Sequence, residues 1–169
     1  MKKIFIFFIA LTTFISCDKD IEENNNTNSP VHVSVFLYEN CPIAQYMTLP
    51  LSQSYEQFSS HDISFTAYFP NILSTSETID NFKYKYSLLF DCVDDNGGLF
   101  AEEYGASVYA EVFVEKDGII VYKGMVDNSY SALGQWSPAD KHYLYDILSS
   151  IVNGEEMPWE SNVAIGCLI

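Results

Sequence analysis

The sequence predicts a single α/β domain in which a central mixed β-sheet is flanked by helices, and three stretches predict it. Val31 to Leu37 is a β-branched and aromatic run ending in Tyr38-Glu39-Asn40-Cys41-Pro42, after which the apolar spacing turns helical at Ile43, Tyr46, Met47, Leu51, Tyr55 and Phe58. Ile63 to Phe69 is a second strand-like run beyond that helix, so two early strands are joined by a helical crossover. Ser107 to Val114 and Ile119 to Lys123 then flank a turn, Glu115-Lys116-Asp117-Gly118, that contains the favoured Asp-Gly pair. An amphipathic stretch, and so a closing helix, follows this hairpin.

Each element has its own local signal. Pro42 suits the first helical turn, where its missing N–H leaves nothing unpaired. Cys41 therefore belongs where a strand hands over to a helix N-terminus, whose free N–H groups and dipole favour a thiolate. The helix should run to about Ser59, with a kink at Pro50. Pro70-Asn71 ends the second strand, and Ser74-Thr75-Ser76 offers N-caps for a helix carrying Ile79, Phe82 and Tyr86 on one face. Leu88 to Phe90 reads as a short strand, and Leu99 to Tyr104 as a brief helix stopped at Gly105. The last helix should start at Ser137-Pro138-Ala139-Asp140, present Tyr143, Leu144, Ile147, Leu148 and Ile151 to the core, and end at Gly154. This order, β-α-β-α-(β)-α-β-β-α, is the plan of a thioredoxin-like fold over residues 31–169.

The first thirty residues do not read as domain. Met1-Lys2-Lys3 is basic, and Ile4 to Ile15 is an apolar run of twelve residues, the outline of a signal peptide and too short to span a bilayer. Ser16-Cys17 after it resembles the lipobox of bacterial lipoproteins, which implies a signal over residues 1–16 and lipid attachment at Cys17. Residues 17–30, acidic and then Asn-rich, read as a flexible tether. Lys19, Asp20, Glu22 and Glu23 resemble the surface-export signal of Bacteroidota lipoproteins. The expected location is thus the bacterial cell envelope, on the outer membrane, facing the periplasm or the surface, with the membrane engaged only through the lipid.

Charge excludes several function classes. The formal net charge is −15 and would be −17 after loss of Lys2 and Lys3 with a signal peptide. None of the eight basic residues is arginine, so nucleic acid is not an expected partner and the bidentate clamp for phosphate is missing. His32, His61 and His142 lack metal-ligand spacing, and Asp91, Asp94, Asp95 and Asn96 do not complete a calcium loop. No metal and no cofactor is expected.

Four stretches in order resemble a thioredoxin-like redoxin of the alkyl hydroperoxide reductase/thiol-specific antioxidant superfamily. They are Cys41-Pro42-Ile43-Ala44, Ala106 to Gly118, Val121-Tyr122-Lys123-Gly124-Met125-Val126-Asp127, and Gly166-Cys167-Leu168-Ile169. The resemblance implies a nucleophilic Cys41, a candidate resolving Cys167 brought back by the C-terminal tail, and a substrate groove at Pro42, Tyr109 and Ala110. It also has departures. Ala44 stands where a Cys-Xaa-Xaa-Cys site has its second cysteine. Tyr38 replaces the hydroxyl residue of a peroxidatic site, and the peroxide-polarising arginine is missing. Ala110 stands where such folds carry a cis-proline, so a trans bond and an altered groove are expected there.

The implied function is thiol–disulfide exchange with protein thiols and disulfides of the envelope, and peroxidase activity is disfavoured. A redox-inactive thioredoxin-fold binding module is the alternative. Cys92 lies between Asp91 and Asp94-Asp95, acids that would raise its pKa, and reads as structural. Trp136 and Trp159 flank the last helix and read as packing residues.

Overall fold

The computed structural model describes residues 30–169; the stretches expected to be a signal peptide and most of a tether, with Cys17, lie outside the described residues. Strands β1 (Val31–Phe36), β2 (Ile63–Phe69), β3 (Asp91–Asp94), β4 (Val112–Lys116) and β5 (Ile119–Gly124) form one sheet in the order β3-β2-β1-β4-β5. β1 pairs parallel with β2 and antiparallel with β4, β2 pairs parallel with β3, and β4 pairs antiparallel with β5. The sheet is therefore mixed, with β1 at its centre.

Alternation along β1 sorts the core into two layers. Val31, Val33, Val35 and Leu37 join the main cluster, which takes in Ile43, Met47 and Leu51 of α1 (Pro42–Phe58), Ile79 and Phe82 of α2 (Ser76–Tyr86), and Leu144, Ile147 and Leu148 of α4 (Tyr143–Asn153). Phe36, on the opposite face, joins Tyr68, Phe113 and Ala101 of the short α3 (Leu99–Tyr104). Three helices thus cover one face and one short helix the other. Pro50 stands inside α1, which continues past it to Phe58.

Three boundaries differ from the sequence expectation, and one hairpin is added. The third strand is Asp91–Asp94, not Leu88 to Phe90; Leu88 and Phe90 are buried in the connection instead. The fourth strand starts at Val112, and residues 107–111 form a loop that Glu111 anchors from inside. The closing helix starts at Tyr143 rather than Ser137, because the backbone N–H groups of Asp140 and Lys141 donate to Asn128 Oδ1. A small hairpin, β6 (Tyr130–Ala132) with β7 (Gln135–Trp136), fills the gap.

Beyond α4 the chain runs back along the sheet. Asn162 N–H donates to Lys123 O at 2.9 Å, Lys123 N–H to Ser161 Oγ at 3.0 Å, and Met125 N–H to Asn162 Oδ1 at 2.9 Å, all along the free side of β5. This course delivers the last four residues to the loop 107–111.

Candidate functional site: a sulfur pair at the first helix N-terminus

β1 ends at Phe36, and a tight turn (Cys41 N–H to Tyr38 O, 3.1 Å) aims the chain into α1. Cys41 is the N-cap residue, in an extended conformation, and its carbonyl accepts from Gln45 N–H at 2.9 Å. The site is thus made by the local pattern of a strand, a turn and Cys-Pro, and the unpaired amides of the first turn surround it. Glu39, two residues earlier, is turned away to accept from the Ser74 hydroxyl at 2.7 Å and from the Thr78 hydroxyl at 2.5 Å.

Cys167 arrives from the other end of the chain. Val108 and Leu168 form an antiparallel bridge, Tyr109 N–H donates to Cys167 O at 2.8 Å, and Ile169 N–H donates to Ser107 O at 3.2 Å. The result is a separation of 2.8 Å between Cys41 Sγ and Cys167 Sγ, both thiols being free. Burial pushes the Cys167 thiol up to about 11, helped by its hydrogen bond and charge coupling to Cys41. Reduced Cys167 therefore holds its proton at neutral pH.

The groove residues do not stand open. Tyr109 and Ala110 are buried, whereas Pro42 is exposed. Tyr109 stacks on Tyr38 with 5.3 Å between ring centroids and accepts from Asn71 Nδ2 at 3.0 Å. Its phenol is raised by burial, and Asn71 opposes this; Tyr38, Cys41 and Cys167 add smaller pushes upward. Ala110 adopts a left-handed φ of 69°, and all described peptide bonds are trans. A side-chain-bearing residue there is uncommon and marks local strain. Beside the turn lies a cavity of about 280 Å³ lined by Tyr38, Asn40, Gln45, Leu73 and Lys85 among others.

Two site residues have roles that no local pattern in the sequence assigns. Glu111 is buried; its Oε2 accepts from Ser107 N–H at 2.9 Å and its Oε1 faces Lys123 Nζ at 3.5 Å, which pins the loop that receives the tail. The other is Gly166, where a Cβ would fall 1.9 Å from Tyr109 O. Only the close approach of two backbones demands that glycine, and no local pattern announces it.

The remaining residues serve the fold. Cys92 is also pushed to about 11, chiefly by burial; Lys83 opposes this, and Asp91 and Asp80 add to it. Its sulfur faces Phe90 O at 3.9 Å. The acids flanking it thus matter less than the sequence suggested. Asp95 caps α3 through Phe100 N–H and Ala101 N–H, both at 3.0 Å. Trp159 packs on Tyr143 and donates to Asp146. Among the described residues no group of three or more His, Cys, Asp and Glu side chains is placed to hold a metal ion.

Comparison with known proteins gives the fold a name. No family model and no curated protein matches the chain. Among solved structures, a hypothetical protein from Sinorhizobium meliloti 1021 is similar with a TM-score of 0.75 and 20% identity, over 84% of this chain and 80% of its own. A thioredoxin-like protein from Aeropyrum pernix is similar with a TM-score of 0.54 and 18% identity, over 77% and 80%. A thiol-disulfide oxidoreductase from Bacteroides fragilis NCTC 9343 is similar with a TM-score of 0.50 and 16% identity, over 56% and 71%. The chain has the thioredoxin-like fold.

Proposed function

We propose that the chain is a thiol–disulfide oxidoreductase whose redox pair is Cys41 and Cys167. The observation that carries this is the 2.8 Å between the two sulfurs, one at a helix N-terminus and the other on a tail held by backbone hydrogen bonds. In the reducing direction the Cys41 thiolate attacks one sulfur of a protein disulfide, forming a mixed disulfide and releasing the other substrate sulfur as a thiolate that takes up a proton. Cys167 then loses its proton, attacks Cys41 Sγ and releases the second substrate thiol. The substrate disulfide gains two electrons and the Cys41–Cys167 pair loses them. A thiol reductant outside the chain restores the pair, and the reverse sequence oxidises a dithiol.

The test is redox titration of the full chain in glutathione buffers with the disulfide mapped by mass spectrometry. A Cys41–Cys167 disulfide forming at a defined potential, with turnover on a protein disulfide, is the expected result; a chain that stays fully reduced in oxidised glutathione refutes it. The burial of Cys41, 1% exposed, favours one second reading, a binding module without turnover. A titratable pair that never exchanges with protein substrates would select it.

The envelope location belongs to the same proposal. The apolar run before Cys17 and the acidic stretch behind it support a lipid anchor at Cys17. Cys17→Ser should release the protein from the membrane fraction; undiminished membrane association of that variant would remove the anchor.

A further inference from the structure

We propose that the segment Ser107–Tyr109 is a docking edge for an extended, cysteine-bearing polypeptide in which glycine precedes the cysteine, and that the C-terminal tail is its built-in occupant. This rests on the thiol–disulfide function proposed above and names its substrate class. With the tail seated, Cys41 is 1% exposed, so no protein sulfur reaches it. A partner must take the place of the tail, and the tail shows what fits.

The fit is mostly backbone. The Val108–Leu168 bridge and the hydrogen bonds from Tyr109 N–H to Cys167 O and from Ile169 N–H to Ser107 O pair two extended segments antiparallel. Any extended chain offers the same donors and acceptors. The residue after the cysteine adds little, since Leu168 is 80% exposed.

Selectivity lies on the other side of the cysteine. A Cβ at position 166 would stand 1.9 Å from Tyr109 O and 3.2 Å from Val108 Cβ. The Tyr109 carbonyl cannot swing aside. It shares a peptide plane with Ala110 N–H, which donates to Phe36 O on the central strand at 2.6 Å. A side chain before the cysteine would therefore lift the paired segment and pull its sulfur away from Cys41. In the exchange itself, the Cys41 thiolate bonds to the peptide's cysteine sulfur, the peptide's former disulfide bond breaks, and its old partner leaves as a thiolate.

The test uses the full chain with Cys92→Ser and Cys167→Ser, with and without Gly166→Ala, after circular dichroism has shown each variant folded. The probes are the peptides Ile-Gly-Cys-Leu-Ile and Ile-Ala-Cys-Leu-Ile as mixed disulfides with thionitrobenzoate, and Ellman's reagent as a small disulfide; adducts are located at Cys41 by mass spectrometry. Gly166→Ala should dislodge the tail and speed the Cys41 reaction with Ellman's reagent by about tenfold or more. In that variant the glycine peptide should react about tenfold or more faster than the alanine peptide. Equal peptide rates beside normal reaction with Ellman's reagent overturn the docking edge alone, and so does a Gly166→Ala variant that reacts no faster than its parent. A dislodged-tail variant whose Cys41 is inert even to Ellman's reagent overturns the thiol–disulfide function itself.

Discussion

Cys92 and Cys167 make an instructive pair. Both are half-buried thiols pushed up to about 11, and in both burial is the leading cause. Yet Cys92 sits on a sheet strand with its sulfur toward a carbonyl 3.9 Å away, while Cys167 sits on a terminal tail with its sulfur 2.8 Å from another sulfur. The two thiols share their acidity and differ in what they face. What separates them is the partner that the fold supplies, and thiol acidity alone would not have done so.

The sharpest way to break that comparison is to remove each sulfur in turn. Cys41→Ser should abolish disulfide reduction, and Cys167→Ser should stall at a mixed disulfide on Cys41. Cys92→Ser should leave turnover within about twofold of the parent. An insulin-reduction assay with trapping of mixed disulfides measures all three, and loss of turnover in Cys92→Ser would erase the distinction.

The support beneath the tail comes next in size. Glu111→Gln keeps an acceptor for Ser107 N–H but removes the charge facing Lys123, within a buried setting. It should cost about 1–3 kcal/mol in urea unfolding and quicken alkylation of Cys167 in the reduced protein. Cys92 alkylation should not change, because the Glu111 carboxylate engages Ser107 and Lys123, on the β4-β5 side of the sheet, while Cys92 lies on β3 at the other edge.

A pH titration sharpens the comparison further. In the reduced parent, iodoacetamide labelling of both thiols should climb up to about pH 11, since both are raised and stay protonated below that value. Two of the causes acting on Cys167 come from Cys41. In Cys41→Ser its titration should move down toward the ordinary thiol value of about 8.5, while Cys92 stays where it was. Equal movement of both curves would mean that Cys41 does not act on Cys167. The smallest effect is on stability: Cys92→Ser should cost less than about 1 kcal/mol at neutral pH.

How much of this was legible in the sequence follows from the range of the interactions. The strand-to-helix junction at Cys41 and the runs that form β1, β2 and β5 rest on neighbours in the chain, and their period and capping signals were sufficient. The apolar run Leu88 to Phe90, by contrast, is buried in a connection, and the strand follows it at Asp91–Asp94. The closing helix was placed six residues early because Asp140, which ends the start signal Ser137-Pro138-Ala139-Asp140, and its neighbour Lys141 donate their N–H groups to distant Asn128 instead. Residues 107–111 look like a strand by composition, but Ala110 turns left-handed there and Glu111 folds inward to hold the loop. Gly166 was noticed only as part of a terminal motif; its need for glycine arises from a carbonyl nearly sixty positions earlier.

The course of the chain past α4 carries one more consequence. β5 is the last strand of the sheet on its side, and Ile119 and Ile120 at its start are exposed. Ser161 and Asn162 occupy the hydrogen-bonding groups of Lys123 and Met125 that would otherwise face outward. An uncovered apolar edge invites strand addition from another molecule. The segment that carries Cys167 to its partner is therefore also a guard against self-association. Deleting it before residue 161 should yield a chain that clumps by its own sheet margin, so point substitutions in the tail separate sulfur chemistry from solubility where truncation would confound them.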